Sequence, residues 1–303
     1  MSSFRVIANM SNLFFLVVNY HSCEQIERLL NSFPTNPQEQ FRVVIVNNSP
    51  DDREILGLKS DIVNIIEAEE NLGFGRACNL GLNWIYDRDS QAIAWLINPD
   101  TYFEEEPTER VRSPIHKAIA LLQKHPDLSI VGTTVYDTSG KLMDAGGKFT
   151  PGTAALTIVD ALPSNCRLEY LPTDWVSGCS LLINLANFAE CPYFDPRYFL
   201  YYEDLDFCLR YGQQKHKIAI TPTIKVFHET SSITNRNLFV KYQHVTHSYL
   251  IHIEKHGSLS TFIVTNLRMS LNTLRLLILK PQEGFGKLIG IYNYWRTRFT
   301  KLA

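Results

Sequence analysis

Five short apolar runs, three of them closed by polar clusters, constrain this chain more than any other feature. Leu13 to Val18, Phe41 to Val46, Ile62 to Ala68 and Ala92 to Ile97 are strand-length stretches with little polar interruption. That is the pattern of strands buried on both faces. Helical segments are interleaved with them: Glu24 to Phe33, with Ile26, Leu29 and Leu30 on one face, and Gly75 to Tyr86. A helix from Ser113 to Lys124 leads to a further strand, Ser129 to Thr134. This spacing predicts right-handed β-α-β crossovers in a mostly parallel α/β sheet flanked by helices. Ligands of such sheets lie beyond the carboxyl ends of the strands. The clusters Asn19–Ser22, Asn47–Asp52 and Asn98–Asp100 all fall there.

After Pro151 the alternation weakens. Trp175 to Leu185, Ile218 to Thr221 and Lys225 to His228 read as shorter strands. Helices are expected over Leu238 to His256 and Leu259 to Leu279, with Pro281 and Gly284 as punctuation. Six scattered cysteines with no C-x-x-C pair exclude a zinc knuckle and read as reduced thiols. The amino-terminal apolar run is only strand-length, so no secretory leader is expected, and the reading is cytoplasmic. No apolar run reaches the roughly 18–20 residues of a membrane span, so none is expected.

Between Tyr198 and Arg210 three carboxylates, Glu203, Asp204 and Asp206, are crowded between aromatic and apolar residues. Such a cluster is costly unless a cation, a metal or a proton-transfer role compensates. Aromatic rings beside acids also suit a sugar, which offers C–H faces and hydroxyls. The plain alternative is an acidic first turn of a helix, favoured by its dipole.

Three further segments bear on the choice. Asn71-Leu72-Gly73-Phe74-Gly75-Arg76-Ala77-Cys78-Asn79 is a glycine-bearing loop that runs into a helix, a form suited to phosphate or to plain close packing. It lacks the Gly-Lys-Ser/Thr ending of a nucleoside triphosphate loop. Asn98-Pro99-Asp100 sets one carboxylate just past a strand. It could hold Mg²⁺ or Mn²⁺ that is otherwise ligated by phosphate and water, or serve as an ordinary turn. His228 ends a short strand, where a histidine is either a ligand or a structural hydrogen-bonder. His244 and His247, and His252 and His256, read as polar helix faces.

In order, these segments resemble glycosyltransferase family 2, the inverting GT-A sugar transferases, and its rhamnosyltransferase-like branch in particular. The resemblance runs from about Phe14 to Ser232. It is carried by the N-x-G-F-G-x-x-x-N loop, the N-P-D-T turn, the W-V-S-G segment at Trp175 to Gly178, and F-D-P-R-Y-F-L-Y-Y-E-D-L-D.

The resemblance implies a GT-A fold over residues 1–235, with a nucleotide-sugar half (about 12–135) and an acceptor half (about 136–235). It assigns donor binding to Asn19, Tyr20, Asn47, Asn48, Asn71, Gly73, Phe74, Gly75, Asn79, Asn98 and Asp100. Asp100 and His228 would ligate a divalent cation, Mg²⁺ or Mn²⁺, with Asn98 standing where the family has its first Asp. Asp204 would be the catalytic base, with Glu203, Asp206, Trp175 and Gly178 at the acceptor. An arginine, Arg197 or Arg210, would keep Asp204 ionised. The implied reaction moves a rhamnose or another hexose or deoxyhexose from a nucleoside-diphosphate sugar, dTDP- or UDP-linked, to a glycan or lipid-linked acceptor. The alternative is a non-catalytic nucleotide-sugar or glycan-binding protein of the same fold.

Charge separates the carboxyl-terminal segment from the rest. Residues 236–303 hold ten of the 29 Lys and Arg but two of the 31 acids. Beside leucine, isoleucine and aromatic residues, this composition suits an anionic membrane surface, or amphipathic helices that only complete the core. Nucleic acid is not the expected partner.

Overall fold

Leu13, Phe15 and Val17 of strand β1 (Leu13–Asn19) pack into one buried layer, and Phe14, Leu16 and Val18 into another. This is the signature of a central strand with both faces covered. The computed structural model describes residues 12–34, 41–104, 113–159, 161–162, 168–229 and 237–300. Cys166, Thr230 to Ser232, Arg236 and Lys301, on which the sequence reading drew, lie outside the described residues.

The elements after β1 are α1 (Cys23–Asn31), β2 (Phe41–Asn47), β3 (Val63–Glu67), α2 (Phe74–Tyr86), β4 (Ile93–Ile97), β5 (Thr101–Tyr102) and α3 (Pro114–Lys124). Then follow β6 (Leu128–Tyr136), β7 (Leu142–Asp144), β8 (Gly147–Thr150), β9 (Ala155–Ile158), β10 (Leu171–Pro172) and β11 (Ser180–Asn184). The chain continues with α4 (Glu203–Gln213), β12 (Lys217–His228), α5 (Leu238–His256), α6 (Leu259–Leu279) and α7 (Pro281–Thr300).

The main sheet runs β10-β12-β6-β11-β4-β1-β2-β3. Strands β3, β2, β1 and β4 are parallel, and β11 is inserted antiparallel between β4 and β6. The expected mostly parallel α/β sheet therefore holds in its first half and becomes mixed in its second. The two short strands foreseen at Ile218–Thr221 and Lys225–His228 are one strand. Its register shifts between Thr221 and Lys225, where Pro222 lacks the N–H a ladder needs. Of the run Trp175 to Leu185 only Ser180–Asn184 is strand.

Helices α5 and α6 coincide with the predicted spans, but Pro281 and Gly284 do not end the pattern: Pro281 opens a third helix, α7. Gly284 is a close-packing position, since a Cβ there would lie 2.4 Å from the Leu277 backbone nitrogen. By length and composition alone α6 is also apolar enough to cross a membrane, contrary to the sequence reading. Leu250 and Ile251 of α5, Tyr294 of α7 and Tyr198 form a buried cluster that fastens these helices to the sheet domain.

Candidate active site

Parallel pairing sets Asn19 opposite Asn47 at the carboxyl ends of β1 and β2. Both are fully buried, and the Asn19 Nδ2 donates to Asn47 Oδ1 at 3.0 Å and to Asp52 Oδ2 at 2.9 Å. Asn48 extends the chain of amides: its Nδ2 donates to Asn71 Oδ1, and its Oδ1 accepts from the Leu72 N–H. The turn after β2 and the glycine-bearing loop before α2 are thereby locked together. Tyr20 stands exposed at the rim.

The loop's glycines face protein. Gly73 has φ +77°, and a Cβ there would sit 2.3 Å from the Phe199 carbonyl oxygen, which accepts from the Phe74 N–H at 2.8 Å. A Cβ on Gly75 would meet Phe194 at 3.1 Å and Glu203 at 3.5 Å. The Asn79 side chain clamps the backbone of Phe194 through both its amide groups. Expected at the donor, Gly73, Gly75 and Asn79 thus act by binding this loop to the 194–203 segment.

That segment enters α4 through two consecutive non-glycine residues in left-handed backbone, Tyr201 (φ +71°) and Tyr202 (φ +69°). Such conformations cost about 1–3 kcal/mol each and persist where the surroundings over-determine them. Here Phe199 stacks on His244 and Tyr202 on His252, both from α5. His244 and His252 are therefore packing groups rather than parts of a polar face. Burial keeps His252 neutral, its pKa lowered to about 4.

The left-handed entry aims the first turn of α4. Asp204 accepts from the Gly178 N–H at Oδ2 and from the Leu205 N–H at Oδ1, both at 2.8 Å. Burial raises its pKa above the ordinary carboxylate value, against those bonds, which favour the ionised form. Arg197 pairs with Asp195 and Arg210 with Asp206, so neither expected arginine serves Asp204.

Glu203, 5% exposed, points beneath α2, with its Oε2 unpartnered among the described residues. Burial, and then the charge of Asp204, raise its pKa to about 8. Asp206 is fully buried on the other side of the helix, where it pairs with Arg210, Lys255 and His256. It holds α5 and does not face an acceptor. Trp175, 8% exposed, packs against Gly147 in the core and has no free ring face to stack on a sugar.

Asp100 and His228 are brought together by β5, which pairs antiparallel with the end of β12. His228 Nε2 lies 3.0 Å from Asp100 Oδ1. Burial alone would lower the His228 pKa, but hydrogen bonds with Asp100 and Cys179 raise it to about 10. The Asn98 N–H donates to the Cys179 carbonyl, next to Gly178, which joins this pair to Asp204. Among the described residues no set of three ligating side chains exists. A carboxylate and an imidazole fit a cation whose remaining ligands are phosphate oxygens and water.

Sequence reasoning missed Asp144, at the end of β7. Its carboxylate accepts from the Gly146 N–H, and burial together with the nearby Asp204 charge raises its pKa to about 6. The available signal was Asp144-Ala145-Gly146, in which Gly146 takes a left-handed turn at φ +75°.

The sequence pattern of the family described as Glycosyl transferase family 2 matches residues 15–143, which hold β1 through β7, the Asn71 loop and Asp100. Residues 15–143 form a glycosyltransferase family 2 domain. Among curated relatives, this glycosyltransferase is 22% identical over 72% of its length to the low-salt glycan biosynthesis hexosyltransferase Agl10 of Haloferax volcanii, spanning 67% of that protein. It is 25% identical over 73% of its length to N-acetylglucosaminyl-diphospho-decaprenol L-rhamnosyltransferase of Mycobacterium tuberculosis, spanning 77% of it. In fold it is similar to GalNAc-T7, solved with UDP, GalNAc and Mn²⁺ (TM-score 0.54, 13% identity), covering 84% of this chain and 56% of that one. Staphylococcus aureus TarS 1-349 in complex with UDP is a second neighbour (TM-score 0.51, 15% identity), with 81% of this chain and 66% of that one covered. Both likenesses establish the GT-A fold.

Proposed function

We propose that this glycosyltransferase moves a hexose or deoxyhexose, rhamnose in particular, from a dTDP- or UDP-linked donor to a glycan or lipid-linked acceptor. The anomeric configuration is inverted. The observation that carries this reading is the placement of Asp204. It is a part-buried carboxylate with raised pKa, held by two backbone amides at a helix start and reached from Asp100 through Cys179 and Gly178.

An acceptor hydroxyl is a poor nucleophile until its proton is taken. Asp204 accepts that proton as the acceptor oxygen bonds to C1, and the C1–O bond to the nucleoside diphosphate breaks on the opposite face. Both Asp204 oxygens keep lone pairs after accepting from Gly178 and Leu205. Its raised pKa makes it a stronger base than a solvated carboxylate.

Asp100 and His228 would hold a Mg²⁺ or Mn²⁺ ion, which when bound offsets negative charge on the leaving diphosphate. His228 would give up its proton to do so. The amide chain of Asn19, Asn47, Asn48 and Asn71 supports the nucleotide end. An acceptor carried on a lipid would place the enzyme at the cytoplasmic face of a membrane. The names of the two curated relatives, a hexosyltransferase and a rhamnosyltransferase, support the sugar class.

The test is a panel of dTDP-, UDP- and GDP-sugars with Mg²⁺ or Mn²⁺, scored by nucleoside-diphosphate release. One donor should respond and EDTA should abolish it. Asp204→Asn should lower turnover roughly 100-fold or more while thermal stabilisation by that donor survives. Wild-type turnover kept by Asp204→Asn would overturn the assignment of the base.

A further inference from the structure

The outward side of α6 is built from Leu259, Ile263, Leu267, Leu271, Leu274 and Ile278, spaced three or four residues apart and so aligned along one face. All six are exposed, Ile278 at 82% and Leu259 at 75%. The opposite side, with Phe262 against Tyr294 and Trp295, packs on α7. Helix α7 likewise leaves Phe285, Leu288, Tyr292 and Phe299 in the open. A soluble helix pair normally buries its large side chains and exposes its small polar ones. On its side toward α5, helix α7 makes its closest approaches through glycines. A Cβ on Gly286 would lie 2.4 Å from the Phe239 carbonyl oxygen, and one on Gly290 would lie 2.5 Å from that of Gln243. Gly286-x-x-x-Gly290 lets two backbones touch, which is how helices associate when their apolar side chains are surrounded by lipid.

Charge names the partner. Helix α6 has no acidic residue, and Arg268 and Arg275 each directly follow a residue of the apolar row. Lys280, Lys287 and Arg296 add to the positive field, against Glu283 alone in α7. We propose that the exposed face of α6 and α7 is a docking surface for an anionic lipid bilayer, on which α6 lies flat with its leucine row among the acyl chains. Arg268 falls near the middle of the helix, where a transmembrane path would place it at the bilayer core, a costly site. In the flat orientation both arginines reach phosphate headgroups.

The surface is also wired to the catalytic helix. Lys255 and His256, at the carboxyl end of α5, pair with Asp206, two residues from Asp204. Docking therefore fixes the attitude of α4 above the membrane.

The experiment is sedimentation of the full chain with phosphatidylcholine vesicles, with and without phosphatidylglycerol. Binding should require the anionic lipid and weaken as salt is raised. Leu267→Glu/Leu271→Glu should abolish it, and Arg268→Glu/Arg275→Glu should weaken it roughly tenfold or more. Thermal unfolding and donor-dependent nucleotide release in solution would show whether the variants remain folded. Should either fail to fold, Ile278→Gln/Leu279→Gln at the exposed end of α6 is the second pair. Equal binding to neutral vesicles, or none to either, would overturn the proposal. So would concentration-dependent dimers that Leu267→Glu dissolves, which would mark the face as a contact between copies.

Discussion

His256 Nε2 of α5 lies 2.9 Å from Asp206 Oδ1, inside the helix whose first turn carries Asp204. The contact is sealed: Asp206 is fully buried and its other oxygen accepts from Arg210 Nε at 2.7 Å. Two positions apart on a helix point to different sides. Asp204 thus faces the site while Asp206 faces the carboxyl-terminal helices.

Removing Asp206 leaves His256 and Arg210 without their anion and Lys255 with Asp195 alone. Breaking a buried pair in this way costs about 3–5 kcal/mol, so Asp206→Ala should lower the free energy of unfolding by that amount in urea titrations. Burial opposes ionisation of Asp206, but His256, Lys255 and Arg210 hold its pKa below the ordinary 3.8. Its contribution is therefore present above about pH 4 and lost as the pH falls through the depressed folded value. Acid unfolding of the wild type should begin there, and that limb should flatten in Asp206→Ala.

Glu203 has the opposite sign. Its pKa rises from 4.5 to about 8 on folding, so between those values the folded state holds a proton the unfolded state has lost. Stability is full below pH 4.5 and falls toward pH 8, with a slope of up to ~1.4 kcal/mol per pH unit. Glu203→Gln, which mimics the protonated acid, should remove this slope and be the more stable protein at pH 8. Chemical denaturation at pH 5 and pH 8 checks it, and parallel slopes in the two proteins would refute it.

The Asp204 charge adds to burial in raising the Asp144 pKa to about 6, so the two carboxylates lie close enough to feel each other's charge. Deleting the Asp144 charge by Asp144→Asn should lower the pKa of Asp204 and move the acid limb of kcat/KM to lower pH. A pH–rate profile measured with the responding donor decides it.

Gly73→Ala would force a Cβ to within 2.3 Å of the Phe199 carbonyl oxygen in left-handed backbone. A loss of about 1–3 kcal/mol in stability is expected. Donor binding, measured by calorimetry, should weaken as Asn71 and Phe74 shift with the loop. Gly140→Ala, also at positive φ but with open space around it, is the control for backbone strain alone.

The first half of the fold was legible because each strand is a continuous apolar run with its polar cluster at one end. Helices α5 and α6 were equally clear, since each starts at a side-chain cap, Asn237 and Ser258. Strand β11 was hidden: no local signal in Ser180–Asn184 says that it enters the sheet antiparallel, because that depends on the long return from β6. At the site, Asp100, His228 and Asp204 were candidates from their motifs, and the structure sets Asp100 beside His228. The different surroundings of Glu203, Asp204 and Asp206 were not legible, because helical phase sets one beneath α2, one on backbone amides and one against α5. Trp175 misled for a related reason, as aromatic composition does not reveal which rings are already covered.

The left-handed entry at Tyr201 and Tyr202 is held in place by rings that belong to α5. A shortened chain ending ahead of α5 would lose Tyr202's stacking partner His252 and two of the cations around Asp206 in a single cut. The change in charge near residue 236 looks like a seam, yet the aim of Asp204 depends on residues from both sides of it. A chain cut ahead of α5 would keep Asp204 and lose the contacts that hold its helix in place.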